Sequence, residues 1–316
     1  MVDARTRRRY KIRNAAQAVL LLGGMVVLLA ALAWLLLGLM GLLVVLAFGV
    51  VVGVLQPEVP SRWVLSAYGA RRLPPAVAPQ LHHYVRVLAG RAGLTQVPGL
   101  YYVASPMANA FAVGRRDDPA LAVTDGLLRL LNGREVVGVL AHEIGHIRAD
   151  DMWVMNLSDT LGRITHGLAY FGVMLLLLTL PFTTGGAFPP LWFAVILTAL
   201  PTVVTLLQLG LSRSREYDAD LEAVVLTGDP MGLASALEHL ERAEGRIWER
   251  VLVPRRRAPD PLLLRTHPPT AERTRRLRAL AGQDGRKPLG DDRRVPPATY
   301  PRVDSPTRLR FPGIRW

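Results

Sequence analysis

Residues 15–55 read AAQAVLLLGGMVVLLAALAWLLLGLMGLLVVLAFGVVVGVL, 41 positions without one Asp, Glu, Lys or Arg. A second uncharged block of 45 residues runs from Gly167 to Leu211. One bilayer crossing needs about 20 apolar residues, so each block is too long for a buried core helix and long enough to cross twice. Turn signals divide both. Gly38 and Gly41 separate helices expected near 16–36 and 40–56. Pro181, Thr183-Thr184-Gly185-Gly186 and Pro189-Pro190 separate crossings near 167–182 and 190–210. A purely soluble protein is excluded.

Charge gives the orientation. Arg5-Thr6-Arg7-Arg8-Arg9-Tyr10-Lys11-Ile12-Arg13 precedes the first block, and Arg62, Arg71 and Arg72 follow it. Arg163 and Arg213 flank the second. Basic residues remain on the cytoplasmic side, so both hairpins return there and both termini are expected in the cytoplasm. The net charge of +13 comes from 36 Arg and 2 Lys in 316 residues, with 20% charged overall against about 25% in soluble chains. No nucleic-acid-reading motif accompanies this charge, so the arginines read as membrane flanks and tail, and no nucleic-acid partner is expected. With no Cys, disulfides and thiolate metal ligands are absent.

Between the blocks, Gln80–Ala92 has helical spacing, and Leu100–Ala104, Ala108–Val113 and Leu121–Val123 read as a small sheet. Thr124-Asp125-Gly126 opens a helix, and Asn132-Gly133-Arg134-Glu135 has the form of a capping box that starts another. Beyond the second block, helices are expected at Ser212–Leu226, Pro230–Arg250 and Thr270–Leu280. The division is then 1–14 basic cytoplasmic N-terminus, 15–56 membrane hairpin, 57–163 first part of a catalytic domain, 164–211 second hairpin, 212–281 second part, and 282–316 a Pro- and Arg-rich tail whose composition predicts disorder.

The chemistry sits in His142-Glu143-Ile144-Gly145-His146. On a helix, positions i and i+4 share a face, so both imidazoles reach one metal ion, with Glu143 beside them to take a proton from water. A catalytic zinc usually takes three protein ligands. His82 and His83 are adjacent and read as surface residues; His166 borders a membrane segment, and His239 lies in an amphipathic helix. A carboxylate remains. Ser212-Arg213-Ser214-Arg215-Glu216-Tyr217-Asp218-Ala219-Asp220 again places two acids at i and i+4. Alone it reads as a charged helix start. With the His pair, Glu216 completes a ligand set and Asp220 can hold a ligand His from behind.

These motifs together resemble the HtpX-like membrane zinc metalloproteases, which are related to CAAX-processing membrane proteases and to soluble gluzincin peptidases. Asn109-Ala110-Phe111-Ala112-Val113-Gly114 and Thr266-His267-Pro268-Pro269-Thr270-Ala271-Glu272-Arg273 extend the resemblance, which covers about residues 15–280. It implies one zinc ion on His142, His146 and Glu216, Glu143 as general base, and Asp220 behind a ligand. It also implies a strand at Asn109, Ala110, Phe111 and Ala112 where a substrate adds as an extended chain, although sheet core is an equal reading. His267 is a candidate to stabilise the oxyanion, or a turn residue before Pro268.

The expected fold is an α-helical integral membrane protein with four transmembrane helices in two hairpins. Its mainly α, zincin-like catalytic domain is cytoplasmic and carries a small β-sheet. The expected activity is zinc-dependent endopeptidase in the cell membrane. Its substrates are proteins or peptides, misfolded membrane proteins among them, in quality control or a stress response. Two alternatives stand beside it. An intramembrane zinc protease would have to place Arg134, Glu135, Arg148, Asp150 and Asp151 in hydrocarbon, which is costly. A non-proteolytic zinc-binding scaffold would call for a closed, usually four-ligand site.

Overall fold

The structure is a computed structural model that describes residues 4–55, 60–114, 117–179, 191–251, 270–281 and 289. The turn expected at Thr183–Gly186, His267 and the tail after 282, apart from Leu289, lie outside these residues.

The described chain is mostly helical. Helix α1 spans Ala4–Leu55 and breaks at Gly38, whose φ of 63° and ψ of −151° only glycine adopts readily. Beyond the break the chain folds back closely, because a Cβ on Gly41 would lie 2.3 Å from the Ala33 carbonyl oxygen. Val45 accordingly packs on the cluster of Met25, Leu29, Leu161 and Val204. Helix α2 (Ser61–Ala67), strand β1 (Arg71–Arg72) and helix α3 (Pro79–Ala92) follow.

Strands β2 (Gly99–Val103), β3 (Ala110–Val113) and β4 (Ala120–Thr124) complete a mixed sheet of order β1-β2-β4-β3. β4 pairs parallel to β2 and antiparallel to β3, so β3 is an edge. Leu121 and Val123 of β4 enter the main core, and Ala120 and Ala122 enter a smaller one under α2, the period of two expected of a strand covered on both faces. Thr124 caps α4 (Asp125–Leu130), its Oγ1 accepting from the Leu127 amide at 3.3 Å.

Helix α5 (Gly133–Ala149) opens on the capping box read from the sequence. The Glu135 amide donates to Asn132 Oδ1 at 2.9 Å, and the Asn132 amide to Glu135 Oε2 at 3.0 Å. Val136, Leu140, Ile144 and Ile147 are fully buried in the main core. Two glycines bring its neighbours close. A Cβ on Gly138 would meet the Leu233 backbone at 3.0 Å, and one on Gly145 the Cα of Ala219 at 3.3 Å.

The last four helices are α6 (Asp151–Thr179), α7 (Leu191–Thr227), α8 (Pro230–Val251) and α9 (Thr270–Leu280). The sequence predicts separate helices at 190–210 and 212–226, but they form one. Residues 164–179 of the expected second hairpin fall within α6, which starts at Asp151. Nothing between Leu211 and Ser212 breaks a backbone; only the side-chain chemistry changes there, and a helix runs through such a change. Among the described residues, three helical stretches, Ile12–Gly49, Asp151–Thr179 and Trp192–Thr227, are long and apolar enough to cross a membrane.

Candidate active site

Helices α5, α6 and α7 meet where their polar ends adjoin. His142 and His146 point their Nε2 atoms at each other, 3.2 Å apart, and both face the Glu216 carboxylate of α7. The His142 Nε2 lies 3.5 Å from Glu216 Oε2, and the His146 Nε2 lies 3.6 Å from Oε1. Among the described residues this is the group of His and acid side chains whose ligand atoms, all within 4.8 Å of one another, could hold a metal ion.

The opposite ring nitrogens are held as a ligand pair requires. Asp220 Oδ1 sits 3.0 Å from His142 Nδ1, and Asp151 Oδ2 sits 2.9 Å from His146 Nδ1. A carboxylate on Nδ1 fixes the tautomer that leaves the Nε2 lone pair free. Asp151 reaches His146 because of a local turn. Asp150 ends α5 with φ 56°, a left-handed conformation that Asp tolerates, and this folds the start of α6 back onto the last turn of α5.

Each imidazole thus has a carboxylate at both nitrogens. Burial works against charge on His142, but its hydrogen bonds with Asp220 and Glu216 outweigh burial and push its pKa up to about 10. His146 is likewise raised, with burial opposed chiefly by Asp151. A divalent cation among the three ligand atoms satisfies the same carboxylates with neutral imidazoles. Two imidazoles and one carboxylate are also the donor set of an open, catalytic zinc site, so the residues present fit zinc.

Two groups border this centre. Glu143 is half-buried beside the pair, its Oε2 accepting from the Ala112 amide of β3 at 3.0 Å. Arg273 of α9 is 4% exposed; its Nε and Nη2 bind Asp220 at 2.8 and 2.6 Å, and its Nη1 lies 2.9 Å from Glu216 Oε2. Burial disfavours its charge, but Asp220 and Glu216 outweigh that and keep the guanidinium ionised.

The structure therefore brings together His142, His146, Glu216, Asp220 and Glu143. Of the expected substrate strand, Ala110, Phe111 and Ala112 lie in edge strand β3, and Ala112 faces Glu143. Asn109 adjoins that strand, its amide bonded to Thr124 Oγ1 at 2.8 Å. The remaining described histidines stand apart. His82 bonds the Leu73 carbonyl, His83 is exposed, His166 contacts Thr205, and His239 pairs with Glu135. Asp151 and Arg273 carry parts of the site that the sequence reading did not assign. Arg273 stands in the quoted late segment, but only its burial between two acids gives it a place.

Residues 75–281 match the model of peptidase family M48. A Protease HtpX homolog of Acaryochloris marina is 39% identical over 237 residues, covering 71% of this chain and 80% of that one. One from Ralstonia nicotianae is 33% identical over 261 residues (76% and 87%), and one from Sulfurihydrogenibium is 32% identical over 297 residues (85% and 96%). The crystal structure of S. mikatae Ste24p superposes with a TM-score of 0.50 at 20% identity, covering 85% of this chain and 66% of that one, and shows a shared fold. On the extent of the family match and of these alignments, the chain belongs to peptidase family M48 and is a membrane-bound metalloprotease.

Proposed function

We propose that the protein is a zinc-dependent endopeptidase with its catalytic domain and both termini in the cytoplasm, cleaving membrane proteins that have lost their fold as part of quality control. The convergence of two Nε2 atoms on Glu216, with a carboxylate behind each ring, carries the reading. Zinc bound there would supply a Lewis acid that acidifies water and polarises a peptide carbonyl. The chain's own residues do the rest. His142, His146 and Glu216 are the ligands, and Asp220 and Asp151 hold the rings. Glu143 takes the proton of the attacking water and returns it to the leaving amine. Arg273 keeps Glu216 and Asp220 in place. The edge at Asn109–Ala112 binds substrate as an added strand, with Ala112 beside the base. His267 stabilises the oxyanion.

The same reading places four crossings in two hairpins. The break at Gly38, with Val45 packed back on Met25 and Leu29, supports the first. The second follows from the ligands, since His146 and Glu216 lie on either side of the 167–211 block and must meet on one face of the bilayer. The deciding experiment is hydrolysis of casein by purified wild type and Glu143→Gln, with zinc analysis of both. Wild type that holds zinc but cuts no casein would sink the reading.

A further inference from the structure

Arg215 directly precedes Glu216 on α7 and has no place in the ligand set. One step along a helix turns a side chain by about 100°, here away from the ligands and toward α6 and α1. The Arg215 side chain is only 13% exposed and meets oxygen atoms of three helices. Its Nη1 lies 3.3 Å from Asp151 Oδ1 of α6 and 4.0 Å from Asp218 Oδ2 of its own helix. Its Nη2 donates to the Asn14 carbonyl of α1 at 3.4 Å.

Asn14 is the polar head of an otherwise apolar face. Asn14, Ala18, Met25, Leu29 and Leu32 are buried at the spacing of a helix packed along one side. Glycines bring this face close to α7. A Cβ on Gly210 would meet Leu21 at 3.6 Å, and one on Gly24 would meet Leu207 at 3.5 Å. The two helices therefore run antiparallel and side by side, and the seating of the apolar face sets where Asn14 falls. Its side-chain amide donates to Asp218 Oδ1.

Asp151 is where these contacts reach the site. Its buried carboxylate divides its oxygens, Oδ2 to His146 Nδ1 at 2.9 Å and Oδ1 to Arg215. Rotation about the last bond of an Asp side chain is soft, and one bonded oxygen restrains it only in part. The guanidinium on the second oxygen fixes the carboxylate and supplies the counter-charge that a buried anion needs. The contacts form one unbroken path: Asn14 to Arg215 and Asp218, Arg215 to Asp151, Asp151 to His146. Coupling between distant parts of a protein can travel along such a chain of packed and bonded side chains.

We propose that Arg215 is a positioning residue for the metal centre, aiming Asp151 at His146 only while α1 is seated against α7. The inference rests on the ligand set proposed above. It goes beyond that set because the first membrane helix, which contributes no ligand, becomes part of what holds zinc. A guanidinium that only clamps helices together would add stability and leave zinc affinity untouched, and that difference can be measured.

The test uses the full-length enzyme in detergent. It reads zinc affinity by competition with a chelator, and ligand geometry by the visible absorption of the Co(II)-substituted protein. Arg215→Gln should weaken zinc binding by about fivefold or more and shift the Co(II) bands. Arg215→Lys should recover part of the loss, because an ammonium pairs with Asp151 without spanning to Asn14. Asn14→Leu, similar in size and leaving Arg215 and Asp151 in place, should weaken zinc by about threefold or more; it keeps the test intact where Arg215→Gln does not fold. A double-mutant cycle separates positioning from stability. In an Asp151→Asn background, Arg215→Gln should add less than about twofold, since its path to His146 is already cut. Full additivity in the cycle, unchanged zinc affinity in Arg215→Gln, or wild-type affinity in Asn14→Leu would overturn the inference. Wild type that binds no zinc would instead overturn the ligand set, and this inference with it.

Discussion

The guanidinium of Arg273 makes a two-bond fork with the Asp220 carboxylate, at 2.8 and 2.6 Å, in a site where both side chains are more than nine-tenths buried. The contact joins α9 to the helix that carries Glu216, and it lies one residue from the proposed metal ligands on either side: Asp220 touches His142, and Arg273 touches Glu216. Removing one partner of a buried pair leaves the other charge uncompensated, which costs about 3–5 kcal/mol. Arg273→Ala should therefore lower the denaturation midpoint of the detergent-solubilised protein by a corresponding amount. Arg273→Lys should recover only part, because an ammonium cannot form the fork. Equal midpoints for wild type and both variants would show that the pair is not structural.

Zinc content separates the histidines. His146→Ala should lose most bound zinc, whereas His166→Ala and His239→Ala should keep it. Asp151→Asn keeps the ligand but weakens its anchor, which predicts about a 10–100-fold loss of affinity. Near-stoichiometric zinc in purified His146→Ala would refute the ligand set.

Glu143 accepts from the Ala112 amide and lies outside the proposed ligand set, so Glu143→Gln should retain zinc while turnover drops by about 10²–10⁴. A Gln variant with more than a tenth of wild-type activity moves the base elsewhere.

Zinc affinity should rise with pH. The neighbouring carboxylates push His142 up to about 10, so at neutral pH zinc must displace its proton. Each unit of acidification then costs about tenfold in apparent affinity through this one proton, and more where His146 is also protonated. Competition with a chelator at pH 6, 7 and 8 measures the slope; a flat profile contradicts protonated ligands.

Topology is testable because the chain has no native cysteine. Introduced cysteines near 66, 150, 215 and 285 should react only from the cytoplasmic side, and those near 38 and 185 only from outside. Positions 150 and 215 on opposite sides would break both the topology and the metal site.

What could be read in advance follows a physical rule. His142 and His146, Glu216 and Asp220, and Asn132 and Glu135 were legible because helical spacing alone brings each pair onto one face or one turn. Asp151 was not, since its reach to His146 depends on the left-handed turn at Asp150, and few non-glycine residues signal such a turn. Arg273 acts 53 positions from Asp220, and no local period encodes that contact. The continuity of α7 was hidden for another reason. Hydropathy marks where side-chain chemistry changes, and the backbone at Leu211 and Ser212 has no cause to follow it.

The order of the ligands along the chain also bears on biogenesis. His142 and His146 leave the ribosome before the second apolar block, and Glu216 only after it. On the proposed ligand set, the nascent protein holds two ligands and a base but no third ligand until that block is threaded and α7 has closed on α5. A chain stalled in insertion cannot hydrolyse its neighbours, so delivery to the bilayer is itself the step that arms the enzyme.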